Sequence, residues 1–142
     1  MTNNDLVRVE VVRAPSASIE ALFTRALAAA RVQRGGSSLV ETILAGRTPP
    51  ETLAEAIRVG NLVVALVVDA PVGFALVAPG VVQSVFVDEE YRRRGVARTI
   101  LQAVIATQRE VLDAFALPGD RGTKSLYESL GWKARLLTMR AD

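Results

Sequence analysis

Residues 81–105 read VVQSVFVDEEYRRRGVARTILQAVI. An apolar strand enters a charged elbow, the elbow ends in Arg92-Arg93-Arg94-Gly95-Val96-Ala97, and an amphipathic helix follows at once. The first turn of a helix leaves several backbone N–H groups without intrahelical partners, and they point outward with the positive end of the macrodipole. That arrangement binds phosphate readily. Gly95 lets backbone approach a ligand with no Cβ between, Ala97 keeps the next position small, and three arginines offer forked donors to phosphate oxygens. Three cations at a helix N-terminus otherwise oppose the dipole, at about 0.3 kcal/mol or more each. An anion among them removes the conflict.

Working outward, residues 62–68, 72–78 and 81–87 are apolar runs separated by Asp69-Ala70-Pro71 and Pro79-Gly80, which predicts a β-meander. The runs are continuous rather than alternating, as in a sheet covered on both faces. Helices predicted over 18–32 and 95–108 supply the cover, the first from Ile19, Leu22, Phe23, Ala26, Leu27 and Ala30 at helical spacing, ending at Gly35-Gly36. Residues 6–13 alternate as a half-buried strand. Ser38-x-x-Glu41 and Thr48-x-x-Glu51 read as capping boxes that open two short helices, with Pro49 just after its cap and Gly46 and Gly60 as stops. Beyond the elbow, 111–117 reads as a strand. A strand, a helix and a returning strand imply that it lies parallel to 81–87. Asp120 or Thr123 caps a helix reaching Leu130, Gly131 ends it, and 132–140 is expected to form the last strand.

Composition excludes whole classes of chemistry. The 142 residues contain no cysteine and no histidine, so disulfides, thiolate nucleophiles, histidine bases and the common zinc sites are absent. Proton transfer must use carboxylates, tyrosine, lysine or water. Seventeen basic residues against fifteen acidic ones give a nearly balanced surface, with no reason to expect bulk nucleic-acid binding. No apolar stretch approaches the roughly 20 residues of a membrane span. The polar N-terminus lacks the pattern of a secretory signal. The expectation is a cytoplasmic protein without membrane or nucleic-acid partners. Gly119-Asp120-Arg121-Gly122-Thr123-Lys124-Ser125 imitates a Walker A loop, but its glycines are too close and Thr123 precedes the lysine.

Read as Arg-x-x-Gly-x-Ala after a strand, residues 92–97 resemble the pyrophosphate-binding signature of the GNAT superfamily of acetyl-CoA-dependent N-acetyltransferases. Leu126-Tyr127-Glu128-Ser129-Leu130-Gly131-Trp132 resembles that family's second landmark, a tyrosine-bearing helix ending at a Gly-aromatic pair. The resemblance implies a single α/β domain over 1–142, a mixed sheet in which an antiparallel meander adjoins a splayed parallel pair, flanked by helices. It implies transfer of acetyl from acetyl-CoA directly to a primary amine in a ternary complex, with no metal. Arg92, Arg93, Arg94, Gly95, Val96 and Ala97 would hold the pyrophosphate. The backbone of Val85, Phe86 and Val87 would pair with the pantetheine arm, and Tyr127 would protonate the leaving thiolate.

The resemblance has three departures. Asp120 stands where the family frequently has an asparagine touching the pantetheine, and an ionised aspartate accepts but cannot donate. Residues 72–87 contain no carboxylate to act as base, which leaves a water held by Gln83 and Ser84, or an amine that arrives deprotonated. Ten residues follow Trp132, so the acceptor site is expected to be open or completed by a second copy in a homodimer. These departures motivate the alternative of a non-catalytic GNAT-fold module that holds acyl-CoA or a protein partner. A small amine, an antibiotic, a polyamine, a peptide N-terminus, a protein lysine and a charged tRNA all stay open as acceptors.

Overall fold

The computed structural model describes residues 7–107 and 112–141. Leu6, Gln108 and Val111, the outer ends of three expected elements, lie outside them. The elements run β1 (Val7–Val11), α1 (Ala17–Arg31), α2 (Gly36–Leu44), α3 (Pro49–Val59), β2 (Leu62–Val67), β3 (Ala70–Ala78) and β4 (Val81–Val87). A 3₁₀ turn (Glu89–Tyr91), α4 (Val96–Thr107), β5 (Asp113–Ala114) and α5 (Arg121–Ser129) follow. The strands form one sheet in the order β1-β2-β3-β4-β5, antiparallel except for the parallel pair β4–β5.

The continuous apolar runs are explained by cover on both faces. Leu62, Val64, Leu66, Phe74 and Leu76 point to one side and pack with Leu22, Phe23, Ala26 and Leu27 of α1 and with α2 and α3. Their neighbours Val63, Ala65, Ala75 and Val77 point to the other, against Ile100, Leu101 and Val104 of α4 and Tyr127 of α5. Alternation along a strand produces this division. Each aliphatic side chain so buried contributes about 1.5–3 kcal/mol.

Local chemistry sets the element ends. Ser16 caps α1, its Oγ accepting from Ile19 N–H at 3.2 Å. The Thr48 capping box is complete, with Glu51 N–H donating to Thr48 Oγ1 at 3.3 Å and Thr48 N–H to Glu51 Oε1 at 3.1 Å. The Ser38 box does not form. The helix begins two residues earlier, at Gly36, after Gly35 turns left-handed at φ +77°, so Ser38 already lies in the first turn. A Cβ on Gly36 would lie 1.6 Å from the Ala30 carbonyl oxygen, and this close approach fixes the start. The first hairpin turns on Val68 and Asp69, which leaves Ala70 and Pro71 inside β3. Proline has no N–H to donate, and the β2–β3 register shifts beside it.

The expected last strand is absent: 132–140 carries no regular structure, and Leu136, Leu137 and Met139 are exposed. Two causes are visible. The adjacent Leu136-Leu137 breaks the alternation that would give a strand one buried face. The neighbouring β5 is two residues long, a short edge on which to extend a ladder.

Helix α2 ends on Ala45, held left-handed at φ 50° and ψ 43°. An L-residue there carries a steric penalty that glycine escapes. Ala45→Gly should raise the unfolding free energy by about 0.5–1 kcal/mol. A urea unfolding midpoint that is unchanged or lower would show that the turn stores no strain.

Candidate functional site

The site grows from the way β4 parts from β5. Their ladder pairs Val81 with Asp113 and Val82 with Ala114, and Phe115 N–H donates to Val82 O at 3.0 Å. No further β4–β5 pair forms among the described residues. At this point β4 also bulges. Leu76 faces Ser84 and Val77 faces Val82, leaving Gln83 without a cross-strand partner. A bulge bends a strand and sharpens its twist. The two parallel strands therefore splay after Val82, and the β4 backbone from Ser84 to Val87 is bonded to β3 on one side only. The expected parallel pair over 111–117 is thus real but far shorter than its apolar run.

At the end of β4, Asp88 opens the elbow. Its N–H donates to Val72 O at 2.8 Å, and its carbonyl accepts from Tyr91 N–H at 2.9 Å. Its carboxylate takes both Nε (2.9 Å) and Nη2 (2.8 Å) of Arg25 from α1, and this contact raises the guanidinium pKa. Arg25, Asp88, Glu89 and Glu90 line an open cleft of about 580 Å³.

The three elbow arginines are not equivalent. Arg92 turns back onto the protein: its Nε donates to Val87 O at 2.9 Å, and its guanidinium lies 5.6 Å from the Phe86 ring centre. Arg94 lies 5.6 Å over Tyr91. Arg93 sits left-handed at φ 63° and Gly95 at φ 78°. The α4 ladder begins with Thr99 N–H donating to Gly95 O at 3.0 Å, so the N–H groups of Val96, Ala97 and Arg98 come before any intrahelical acceptor. Arg92, Arg93, Arg94 and Gly95 are exposed, Ala97 is half-buried and Val96 is anchored in the core. An anion at this turn would meet backbone donors and three exposed arginines, of which Arg92 is tethered through its Nε to Val87 O.

Tyr127 is 6% exposed, and its ring stacks on Trp132 at 5.3 Å and 8° between planes. Its hydroxyl donates to Phe115 O at 3.4 Å, which places the phenol beside the strand that leaves β4. The contact is long, and so weak enough to be exchanged for another acceptor. Burial, helped by the Asp120 charge, raises its pKa well above the usual 10. The phenol therefore stays protonated at neutral pH, and as an acid it is weaker than free tyrosine. Asp120 caps α5, accepting from Thr123 N–H at 3.0 Å and Thr123 Oγ1 at 2.7 Å. Its carboxylate thus has a structural task that accounts for aspartate at this position.

The structure brings Val85, Phe86, Val87 and residues 92–97 to one end of β4, with Tyr127 and Asp120 across the splay on the β5–α5 side. Sequence reasoning missed the Gln83 bulge, whose only trace is a polar pair in an apolar run. It also missed the bond from Arg92 Nε to Val87 O and the Arg25–Asp88 contact, which joins residues 63 apart and has no local signature.

Residues 58–134 match a family model described as Acetyltransferase (GNAT) domain. No curated protein sequence matches the chain. Among solved structures, an aminoglycoside acetyltransferase from an uncultured soil metagenomic sample, in complex with sisomicin, superposes with TM-score 0.63 at 13% identity, over 98% of this chain and 97% of its own. A GNAT-family acetyltransferase from Bacillus cereus gives 0.66 at 12%, over 96% and 89%. Ard1 from Thermoplasma volcanium gives 0.64 at 15%, over 92% and 85%. At such identities the likeness is one of fold.

The raised Tyr127 pKa has a consequence for stability. Above about pH 10 the unfolded chain loses this proton while the folded one keeps it, so stability is full below that pH and declines as pH rises further. The melting temperature should therefore fall more steeply between about pH 9.5 and 11 in the native protein than in Tyr127→Phe. Parallel curves would mean that the phenol titrates as freely folded as unfolded.

Proposed function

The chain belongs to the GNAT family of acetyltransferases, and from that premise we propose that it binds acetyl-CoA along β4 and transfers the acetyl group directly to a primary amine. The observation that carries this reading is the coincidence of three features at one end of one strand: a glycine turn opening α4, a one-sided β4 backbone, and a protonated phenol across the splay. Each suits a different part of the same molecule. Backbone N–H groups of 96–98, with Arg93 and Arg94, hold the pyrophosphate. Peptide groups of residues 85–87 that are not bonded to β3 pair with the amide-bearing pantetheine arm, apart from the Val87 carbonyl, which already accepts from Arg92 Nε. Arg92 acts by shaping the turn, and Asp120 by capping the helix that carries Tyr127.

In the transfer, the amine nitrogen forms a bond to the thioester carbonyl carbon, the carbon–sulfur bond breaks, and sulfur departs as a thiolate. A thiol has a pKa near 8.5. A phenol raised above 10 would give up its proton to that sulfur uphill, so Tyr127 serves best as a hydrogen-bond donor that steadies the charge while solvent supplies the proton. The amine nitrogen loses its proton to water near Gln83 and Ser84, or enters already neutral. The acceptor is a primary amine, of a small molecule or of a peptide. The sisomicin complex of the metagenomic enzyme illustrates the first kind. The setting is the cytoplasm, in a single domain; no helix among the described residues is long and apolar enough to cross a membrane. A homodimer would cover the exposed 136–139 segment.

A second reading keeps the binding and drops the chemistry. It is favoured by the absence of any carboxylate from β3 and β4, and it makes the protein an acyl-CoA-holding module.

Calorimetric titration with acetyl-CoA should give a dissociation constant on the order of micromolar, weakened about tenfold or more in Arg93→Ala/Arg94→Ala. No heat of binding in the intact protein would dispose of both readings. Tyr127→Phe should bind acetyl-CoA like the native protein but turn over about 10- to 100-fold more slowly on an amine panel. Equal turnover would remove the tyrosine from the mechanism, and no turnover by the native protein on any amine would leave the binding module.

A further inference from the structure

Arg25 and Asp88 meet where β4 becomes the elbow, and neither has a part in the transfer described above. Their contact is two-pronged, Nε and Nη2 each reaching a different carboxylate oxygen at 2.9 and 2.8 Å. An exposed ion pair of ordinary geometry contributes little. This one differs in position and enclosure: the Asp88 side chain is 18% exposed against 50% for Arg25. Asp88 is also tied by its N–H to Val72 of β3 and by its carbonyl to Tyr91 in the 3₁₀ turn. One residue thus joins a helix, a strand and the elbow.

A second line of contact runs alongside. Phe23 of α1 meets Phe74 edge-on at 5.9 Å, Phe74 lies 6.1 Å from Phe86, and Arg92 covers Phe86 while its Nε holds Val87 O. Both lines start on α1 and end at the elbow. Between their end and α4 lie the two left-handed residues, Arg93 and Gly95. A non-glycine residue in that conformation persists only where its surroundings over-determine it. The clamp on Asp88 and Val87 supplies such surroundings on the strand side.

We propose that Arg25 and Asp88 are positioning residues for the anion-binding turn. Helix α1, which contributes no residue to that turn, holds the elbow in the shape that presents the 96–98 N–H groups, and coenzyme A affinity depends on it. The inference rests on the reading of residues 92–97 as a coenzyme A site.

The test compares the native protein with Arg25→Ala, Asp88→Ala, the double variant and Arg25→Lys by amide hydrogen exchange and by titration with coenzyme A. Each alanine variant should exchange faster across 89–96 while β2 and β3 keep their protection, and should bind coenzyme A about tenfold more weakly. The double variant should lose no more than either single one, because one contact has been removed twice. Arg25→Lys, which keeps the charge but not the fork, should fall between native and Arg25→Ala. Unchanged exchange at 89–96, acceleration spread evenly over the chain, or single losses that multiply in the double variant would each overturn the proposal. A native protein that binds no coenzyme A would overturn the reading of the turn itself, a separate failure, since the exchange data decide the brace alone.

Discussion

A sheet buried on both faces must pair its backbone donors and acceptors, because an unpaired peptide group away from water costs as much as a lost hydrogen bond. Strands β1 to β4 are joined by antiparallel ladders, which leave β2 and β3 paired on both sides. Inside the sheet the breach falls on β4 beyond Val82, where β5 turns away. Everything that makes the site follows from that breach. It leaves peptide groups with one vacant side, it separates the elbow from the β5–α5 loop, and it sets Tyr127 opposite the strand rather than against it. The neighbouring contacts support the opening: the Gln83 bulge bends β4, and α4 packs Ile100, Leu101 and Val104 beneath it.

Much of this was legible because the relevant forces are local or periodic. The meander could be read from apolar runs and turn residues, the two-sided burial from the lack of alternation, α1 and α4 from helical spacing, and the glycine turn into α4 from Gly95. Thr48 and Asp120 act as caps because a side-chain oxygen one turn before a helix N–H is a short-range fact. What escaped depends on contacts distant in sequence or on a choice between near-equal local options. Ser38 offered a plausible box, yet the close approach of Gly36 to Ala30 started the helix first. Residues 132–140 have strand-like content, but a strand also needs a free edge, and the two-residue β5 limits the one nearby. Arg92 belongs to the anion motif by spacing while its guanidinium is held by Val87, and spacing alone does not reveal where a long side chain turns.

Charge along the elbow is arranged in sequence rather than mixed. Asp88, Glu89 and Glu90 come first and Arg92, Arg93 and Arg94 follow. The carboxylates face Arg25 and the open cleft, and the free arginines stand at the helix start. The field therefore changes sign over one turn of chain. Such a gradient favours an anion at the α4 end and disfavours it at the cleft.

Trp132 is the sole tryptophan of the chain, and it lies flat against the phenol of Tyr127. Indole emission from this protein consequently comes from one ring, stacked on Tyr127 and half-buried there. The molecule carries its own optical reporter against the phenol that reaches Phe115. Any occupant that displaces the Tyr127 hydroxyl from Phe115, or excludes water from the stacked pair, would change the colour or intensity of that emission with no label attached.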